Sequence, residues 1–309
     1  MSETLRSSPT GHDDPLLERA MLFDFETVAP DHFRAQPIPS TMLRLYGGQV
    51  VAQAVAAIQR TGGDDRWIHS CHAYFVRPGR LDHPIDLIVE RDRDGRSFSA
   101  RRVRVMQDGE LILSMNASLH VPEAGYDWQA DMPTGLPDPE SLTPMSDFIA
   151  AAGDELPPYH RPFWGRDHLF DWRPVEPFFM FNTDPGTLPR HFWIRMKQPL
   201  GDDWAEHQRF FAYVSDLHLL HTGMVPLGLG WAEPNFQAAS LDHAIWFHRE
   251  FRVDEWFLYV LDSDASIGVR TLSRGTVYAR DGRLVASVTQ EGLARILDKP
   301  MAIPGPVAK

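Results

Sequence analysis

Cysteine is all but missing from this sequence: Cys71 is the only one in 309 residues. An intrachain disulfide, a Cys-x-x-Cys redox pair and a cysteine-rich zinc site are therefore excluded, and a reducing, cytoplasmic setting is expected. Lysine is nearly as scarce, with Lys197, Lys299 and Lys309 against 27 arginines, so a bound anion would mostly meet planar guanidinium groups. Positive charge as a whole falls short, since 30 Lys and Arg face 42 Asp and Glu for a net charge of −12. That field repels polyanions, and no nucleic-acid partner is expected. Long apolar runs are lacking too: residues 1–21 have no continuous apolar core, and nowhere does the chain approach the roughly 18 uncharged apolar residues of a membrane helix. What remains is 43% hydrophobic with 18 Phe, 9 Trp and 7 Tyr, too apolar for a disordered chain and long enough for about two domains.

The common signatures of hydrolases and cofactor enzymes are also missing. Gly95-Arg-Ser97-Phe-Ser99 ends on serine where a nucleophile elbow needs glycine, so that class of serine hydrolase is not expected. Cys71 has His69 and His72 close by, but neighbours on a strand point to opposite faces, and Cys71 reads as buried core. His218 and His221 form a His-x-x-His pair followed by His243 and His248. Without a His-Glu-x-x-His frame these are expected to pack or hydrogen-bond, and no metal is assigned. Gly228-Leu-Gly230 is a fragment of a dinucleotide fingerprint outside any strand–turn–helix context, so no cofactor is assigned either. Arg91, Arg93, Arg96, Arg101, Arg102 and Arg104 form the one basic cluster. Arg102 and Arg104 share a strand face, Arg101 points the other way, and the pair reads either as a solvated face balanced by Asp92, Asp94 and Asp108 or as a patch for ligand phosphates.

An internal repeat organises the chain. Val103–Met115 aligns without a gap on Thr276–Val288, sharing an Asp-Gly turn, a following Leu and a Ser. Asp108-Gly109 and Asp281-Gly282, flanked by apolar and β-branched residues, predict two tight hairpins. Upstream, Phe75, Arg77, Arg80 and Asp82 reappear as Phe247, Arg249, Arg252 and Asp254, one residue out of step with the hairpins. A helix is expected before each copy. In the first it spans Gly47–Gln59, almost wholly apolar and hence buried; in the second it is placed at Ser215–Met224, with Ser215 or Asp216 as N-cap. Val121 to about Gly165 holds eight prolines and reads as a connection, with a short helix around Pro144–Gly153. The fold class is α+β, two tandem units of a helix wrapped by an antiparallel sheet. Their expected bounds are 15–121 and 186–298, joined by 122–185, with residues 1–14 a polar tail and Leu16–Ala35 a helix and lead-in.

Within that frame the segments Tyr46–Ala54, His69–Gly79, Ser215-Asp216-Leu217, Leu241–Arg249 and Gln290-Glu-Gly292 resemble the type II acyl-CoA thioesterase family, from about Leu16 to Arg295. The resemblance implies a double hotdog fold, an acyl-CoA substrate, no cofactor and a homo-oligomer joined through sheet edges. It also implies a catalytic set of Asp216 at the start of the second helix, Ser240 where many members have Thr, and Gln290. The residue types suit the chemistry: a carboxylate with two neutral partners can hold and polarise a water beside a thioester carbonyl. A helix N-terminus such as the one Gly47 and Gly48 open would then bind the oxyanion. The CoA thiol, near the roughly 8.5 of a free thiol, leaves with little acid assistance. Gly47 and Gly48, with Arg102 and Arg104, are the substrate-binding candidates. The repeat sets Gln49 near Asp216 and Ala117 near Gln290, which leaves one active site, in the second half. A hotdog hydratase would need a D-x-N-x-x-H segment, which does not occur; a non-catalytic acyl-CoA-binding protein would need no intact trio.

Overall fold

A computed structural model describes residues 15–38, 40, 42, 44–153, 156, 161–176, 185–231, 233 and 235–299. The expected tail, 1–14, lies outside them. The first half runs α1 (Pro15–Leu22), β1 (Phe25–Ala29), β2 (His32–Ala35), α2 (Gly47–Gln59), β3 (Trp67–Phe75), β4 (Ile85–Asp94), β5 (Phe98–Gln107) and β6 (Glu110–His120). After α3 (Met145–Ala152) and α4 (Arg161–Trp164), the second half runs β7 (Phe170–Pro174), β8 (Arg190–Met196), α5 (Trp204–Ser215), α6 (Leu219–Thr222), β9 (Phe236–Ser240), β10 (Asp242–Phe247), β11 (Phe257–Ile267), β12 (Arg270–Ala279) and β13 (Leu284–Ile296).

These strands form one antiparallel sheet in the order β1-β2-β4-β5-β6-β3-β10-β13-β12-β11-β8-β7, with β9 also paired to β13. The order mirrors itself about the β3–β10 seam, where Cys71 faces Ile245 and Ala73 faces His243. Thus the two copies of the repeat join edge to edge within one chain, as the double hotdog reading expects. Asp108 and Gly109 both take positive φ, 49° and 78°, as the first hairpin turn requires. No helix among the described residues is long and apolar enough to cross a membrane.

Helix α2 matches its expected span. Residues 48–58 are all buried, because the sheet covers it on one side and α5 on the other. The two helices run antiparallel. At one end the Tyr46 hydroxyl donates to the Tyr213 carbonyl (2.9 Å), and at the other Gln59 Nε2 donates to the Ala205 carbonyl (3.1 Å). Gly48 lets them close, since a Cβ there would stand 2.2 Å from the Tyr213 carbonyl oxygen.

Three expectations need correcting. The second-copy helix is Trp204–Ser215, not Ser215–Met224: its N-cap is Asp203, whose carboxylate accepts from the Ala205 amide, and Asp216 is its C-cap. The periodic stretch carrying Trp204, Phe211 and Tyr213 wins because Gly223, Pro226 and Gly228 break the chain after a single further turn, α6. Residues 216–241 separate α5 from β10, whereas only 60–66 separate α2 from β3, so the repeat loses register there. The second correction concerns 122–185, expected as a connection: it also supplies β7, which pairs with β8 at the sheet edge. Within it, α3 falls where the short helix was expected. Likewise Leu16–Ala35, read as a helix and lead-in, contributes the edge strands β1 and β2.

Adding one methyl group at Gly48 should push α2 off α5. Gly48→Ala is expected to lower unfolding stability by about 1–3 kcal/mol, the usual cost of overpacking, measured by urea titration against the parent protein.

Candidate active site

Asp216 is placed by the last turn of α5 and is 8% exposed. Its Oδ1 accepts from Gln290 Nε2 at 2.9 Å and from Ser240 Oγ at 3.3 Å, and Gln290 Nε2 also donates to Ser240 Oγ. Alternation along β13 turns Val288, Gln290 and Gly292 inward, and Ser240 stands opposite Gly292 in the β9–β13 pair, which sets hydroxyl beside amide. Asp216, Ser240 and Gln290 thus meet although they come from the end of a helix, the end of one strand and the middle of another.

The other half closes the cluster. A Cβ at Gly47 would lie 2.7 Å from Asp216 Oδ2 and 3.2 Å from the Phe75 ring. Only glycine lets the first residue of α2 come so near the carboxylate. No side chain caps α2, and its first amides lack intrahelical acceptors. The position also decides the electrostatics. A carboxylate at the C-terminus of α5 faces the negative end of that helix dipole, and the positive end of antiparallel α2, with the Ser240 and Gln290 donors, offsets this.

The counterpart in the first half is different. Arg60, not Gln49, holds the place after α2 that Asp216 holds after α5, so the expected match of Gln49 to Asp216 fails. Ala117 does match Gln290: it lies opposite Arg101 on β5 as Gln290 lies opposite Ser273 on β12. Arg101 is fully buried, donating to Thr61 Oγ1 (3.1 Å), the Thr61 carbonyl (3.0 Å) and Asp94 (2.5 Å). A cation therefore seals the end of α2 where the second half has its carboxylate.

The remaining candidates do not join the cluster. Arg102 and Arg104 lie on the exposed face of β5 turned away from α2, where Arg102 pairs with Glu90 and Asp92 and Arg104 with Glu90. This is the solvated, charge-balanced face. His218 and His221 are buried and kept neutral by desolvation, His221 pushed down to about 4, and the His218 ring stacks on Phe192 at 4.9 Å. Among the described residues no group of three or more His, Cys, Asp or Glu could hold a metal. Gly228 follows a short turn in a left-handed conformation, with no strand leading into a helix.

One neighbour of the trio is a histidine that the sequence leads one to expect to pack or hydrogen-bond, without naming its partners. His243 is 1% exposed and lies between Gln290 Oε1, 3.3 Å from Nδ1, and Ser215 Oγ, 2.9 Å from Nε2. The alternation of β10 carries the signal that could have found it, since His243 shares the inward face with Ile245 and Phe247.

The fold is that of two tandem hotdog units, and sequence comparison says which class of hotdog protein this is. Residues 166–293 match the family model described as acyl-CoA thioesterase, and 35–120 that of the acyl-CoA thioesterase N-terminal domain. Acyl-CoA thioesterase 2 of Haemophilus influenzae is 34% identical over 85% of this chain and 92% of its own length. Human acyl-coenzyme A thioesterase 8 is 32% identical over 94% and 92%. The crystal structure of acyl-CoA thioesterase II TesB2 from Mycobacterium marinum superposes with a TM-score of 0.73 at 34% identity, covering 91% of this chain and 99% of that one. The chain belongs to the acyl-CoA thioesterase family; it is a thioester hydrolase that cleaves acyl-CoA to a free fatty acid and CoA.

A thiolate could in principle attack a thioester, but Cys71 is fully buried and desolvation pushes its thiol up to about 12. Iodoacetamide at pH 8 should therefore leave the folded protein unmodified and fully active, with alkylation of Cys71 appearing by mass spectrometry only after denaturation.

Proposed function

We propose that hydrolysis proceeds at the Asp216 cluster by direct attack of water, without a covalent intermediate. The observation that carries this reading is the division of labour on one carboxylate: Oδ1 is held by Ser240 and Gln290, while Oδ2 is turned toward the start of α2. Asp216 accepts the proton of a water as that water attacks the thioester carbon. Ser240 and Gln290 keep the carboxylate fixed in the geometry the attack needs. The tetrahedral oxyanion is received by the open amides at Gly47 and Gly48, where the α2 dipole favours negative charge. Collapse expels the CoA thiolate, whose modest basicity makes an acid catalyst unnecessary.

A hydroxyl is all that this scheme asks of position 240, so serine in place of threonine is compatible with it. The same reading places the enzyme in the cytoplasm, in keeping with its single buried thiol, and has it self-associate through the outermost strands of the sheet, β1 and β7. Non-catalytic binding of acyl-CoA would not require two polar side chains to be hydrogen-bonded to one oxygen of a buried carboxylate.

Asp216→Asn is expected to lower kcat by at least about 100-fold, the lower range for loss of a general base. Its thermal stability should be unchanged or higher, because the substitution removes a negative charge from the negative end of α5. Thiol release from acyl-CoAs of several chain lengths, followed with a thiol-reactive dye, measures the first effect. Undiminished release would refute the site, and no release by the parent protein from any acyl-CoA would refute hydrolysis itself.

A further inference from the structure

The Gln290 amide could stand in either of two orientations related by a flip, and only one suits Asp216. With Nε2 toward the trio, its two hydrogens reach Asp216 Oδ1 and Ser240 Oγ. Flipped, Oε1 would confront the carboxylate, acceptor against acceptor, and Asp216 would lose a donor. Asp216 favours the first orientation from one side, and the group on the far side of the amide that can secure it is the imidazole of His243.

We infer that His243, itself oriented by Ser215, is a positioning residue that holds the Gln290 amide with both N–H bonds directed at Asp216 and Ser240. Gln290 Oε1 can only accept, so the ring nitrogen 3.3 Å away, Nδ1, must carry the hydrogen. A neutral imidazole has one N–H, which leaves Nε2 as an acceptor facing Ser215 Oγ at 2.9 Å. Desolvation favours that neutral state, against the opposing charge of Asp216. The Ser215 hydroxyl has two acceptors within reach, Nε2 and the Ala212 carbonyl at 3.1 Å. If its hydrogen went to Ala212, Nε2 would have to carry the ring hydrogen and a bare Nδ1 would face Oε1. The consistent arrangement is therefore a relay in which Ser215 donates to His243, His243 to Gln290, and Gln290 to Asp216. The Tyr259 hydroxyl, donating to the Ser215 carbonyl at 2.9 Å, anchors the peptide that carries both ends of this relay, since Ser215 precedes Asp216 directly.

The inference rests on the hydrolytic role of the trio proposed above, and two measurements test it. In protein labelled with 15N-histidine, the His243 ring, assigned by its loss in His243→Asn, should report the Nδ1–H tautomer; an Nε2–H tautomer overturns the relay. In kinetics, His243→Leu should lower kcat by about tenfold, the worth of one buried hydrogen bond, with KM little changed. His243→Asn, whose side-chain N–H can replace Nδ1–H, should recover most of that loss. Wild-type kcat in folded His243→Leu, or equal loss in both folded variants, overturns the positioning role. Asp216→Asn keeps the two levels apart. If it is inactive while His243→Leu is fully active, only the relay falls; if it turns over like the parent, the trio falls with it.

Discussion

The close antiparallel contact between α2 and α5 is the constraint on which the rest of this molecule depends. Gly48 against the Tyr213 carbonyl sets the spacing, and the Tyr46 and Gln59 hydrogen bonds set the direction. Because the helices are antiparallel, the positive end of one must lie beside the negative end of the other. Asp216 occupies that junction. A carboxylate at the C-terminus of an isolated helix would be electrostatically misplaced; here the partner helix presents its open amides to the same spot. The electrostatic setting of the site is thus built from two halves of the fold, though its three polar side chains all come from one.

The repeat makes the asymmetry of the two helix ends easy to see. Both halves have a buried helix, a sheet around it and an inward-facing strand position next to the helix end. In the first half Ala117 and Arg101 occupy that neighbourhood, and the guanidinium is spent on Thr61, Asp94 and backbone carbonyls. In the second, Gln290 and Ser240 leave a carboxylate with one oxygen held and one turned to the facing helix. A cation at a helix C-terminus is the favourable choice for stability, and an anion there the unfavourable one. The first half follows stability and the second departs from it, which is where function is commonly found.

Much of this was legible in the sequence, unevenly. Helix α2 could be read to the residue because an apolar, alanine-rich stretch bounded by a glycine pair allows little else. The hairpins could be read because Asp-Gly dictates the turn. Helix α5 is hard to place from the sequence because the insertion holding α6 and β9 shifts the helix away from the strands of its own copy of the repeat. Strand β7 is hard to read because it is only five residues long, Phe170–Pro174, and ends in proline, so its alternation has little length over which to register. Arg102 and Arg104 drew attention by clustering, yet the carboxylates that neutralise them sit across the strand pair on β4, and one strand alone does not say which face meets solvent.

By itself the sequence determined the doubled architecture, the two strand sets, the buried α2 and, through resemblance to a family, the three polar residues of the site. These are encoded locally, in periodicity, turn chemistry and motif order. Only the tertiary structure decided that Asp216 closes its helix instead of opening it, that Gly47 of the other half lies against its carboxylate, and that His243 stands behind Gln290. Those facts depend on which helix ends meet and which way an amide faces. Such relations are set by packing between residues far apart in the chain, and no local pattern carries them.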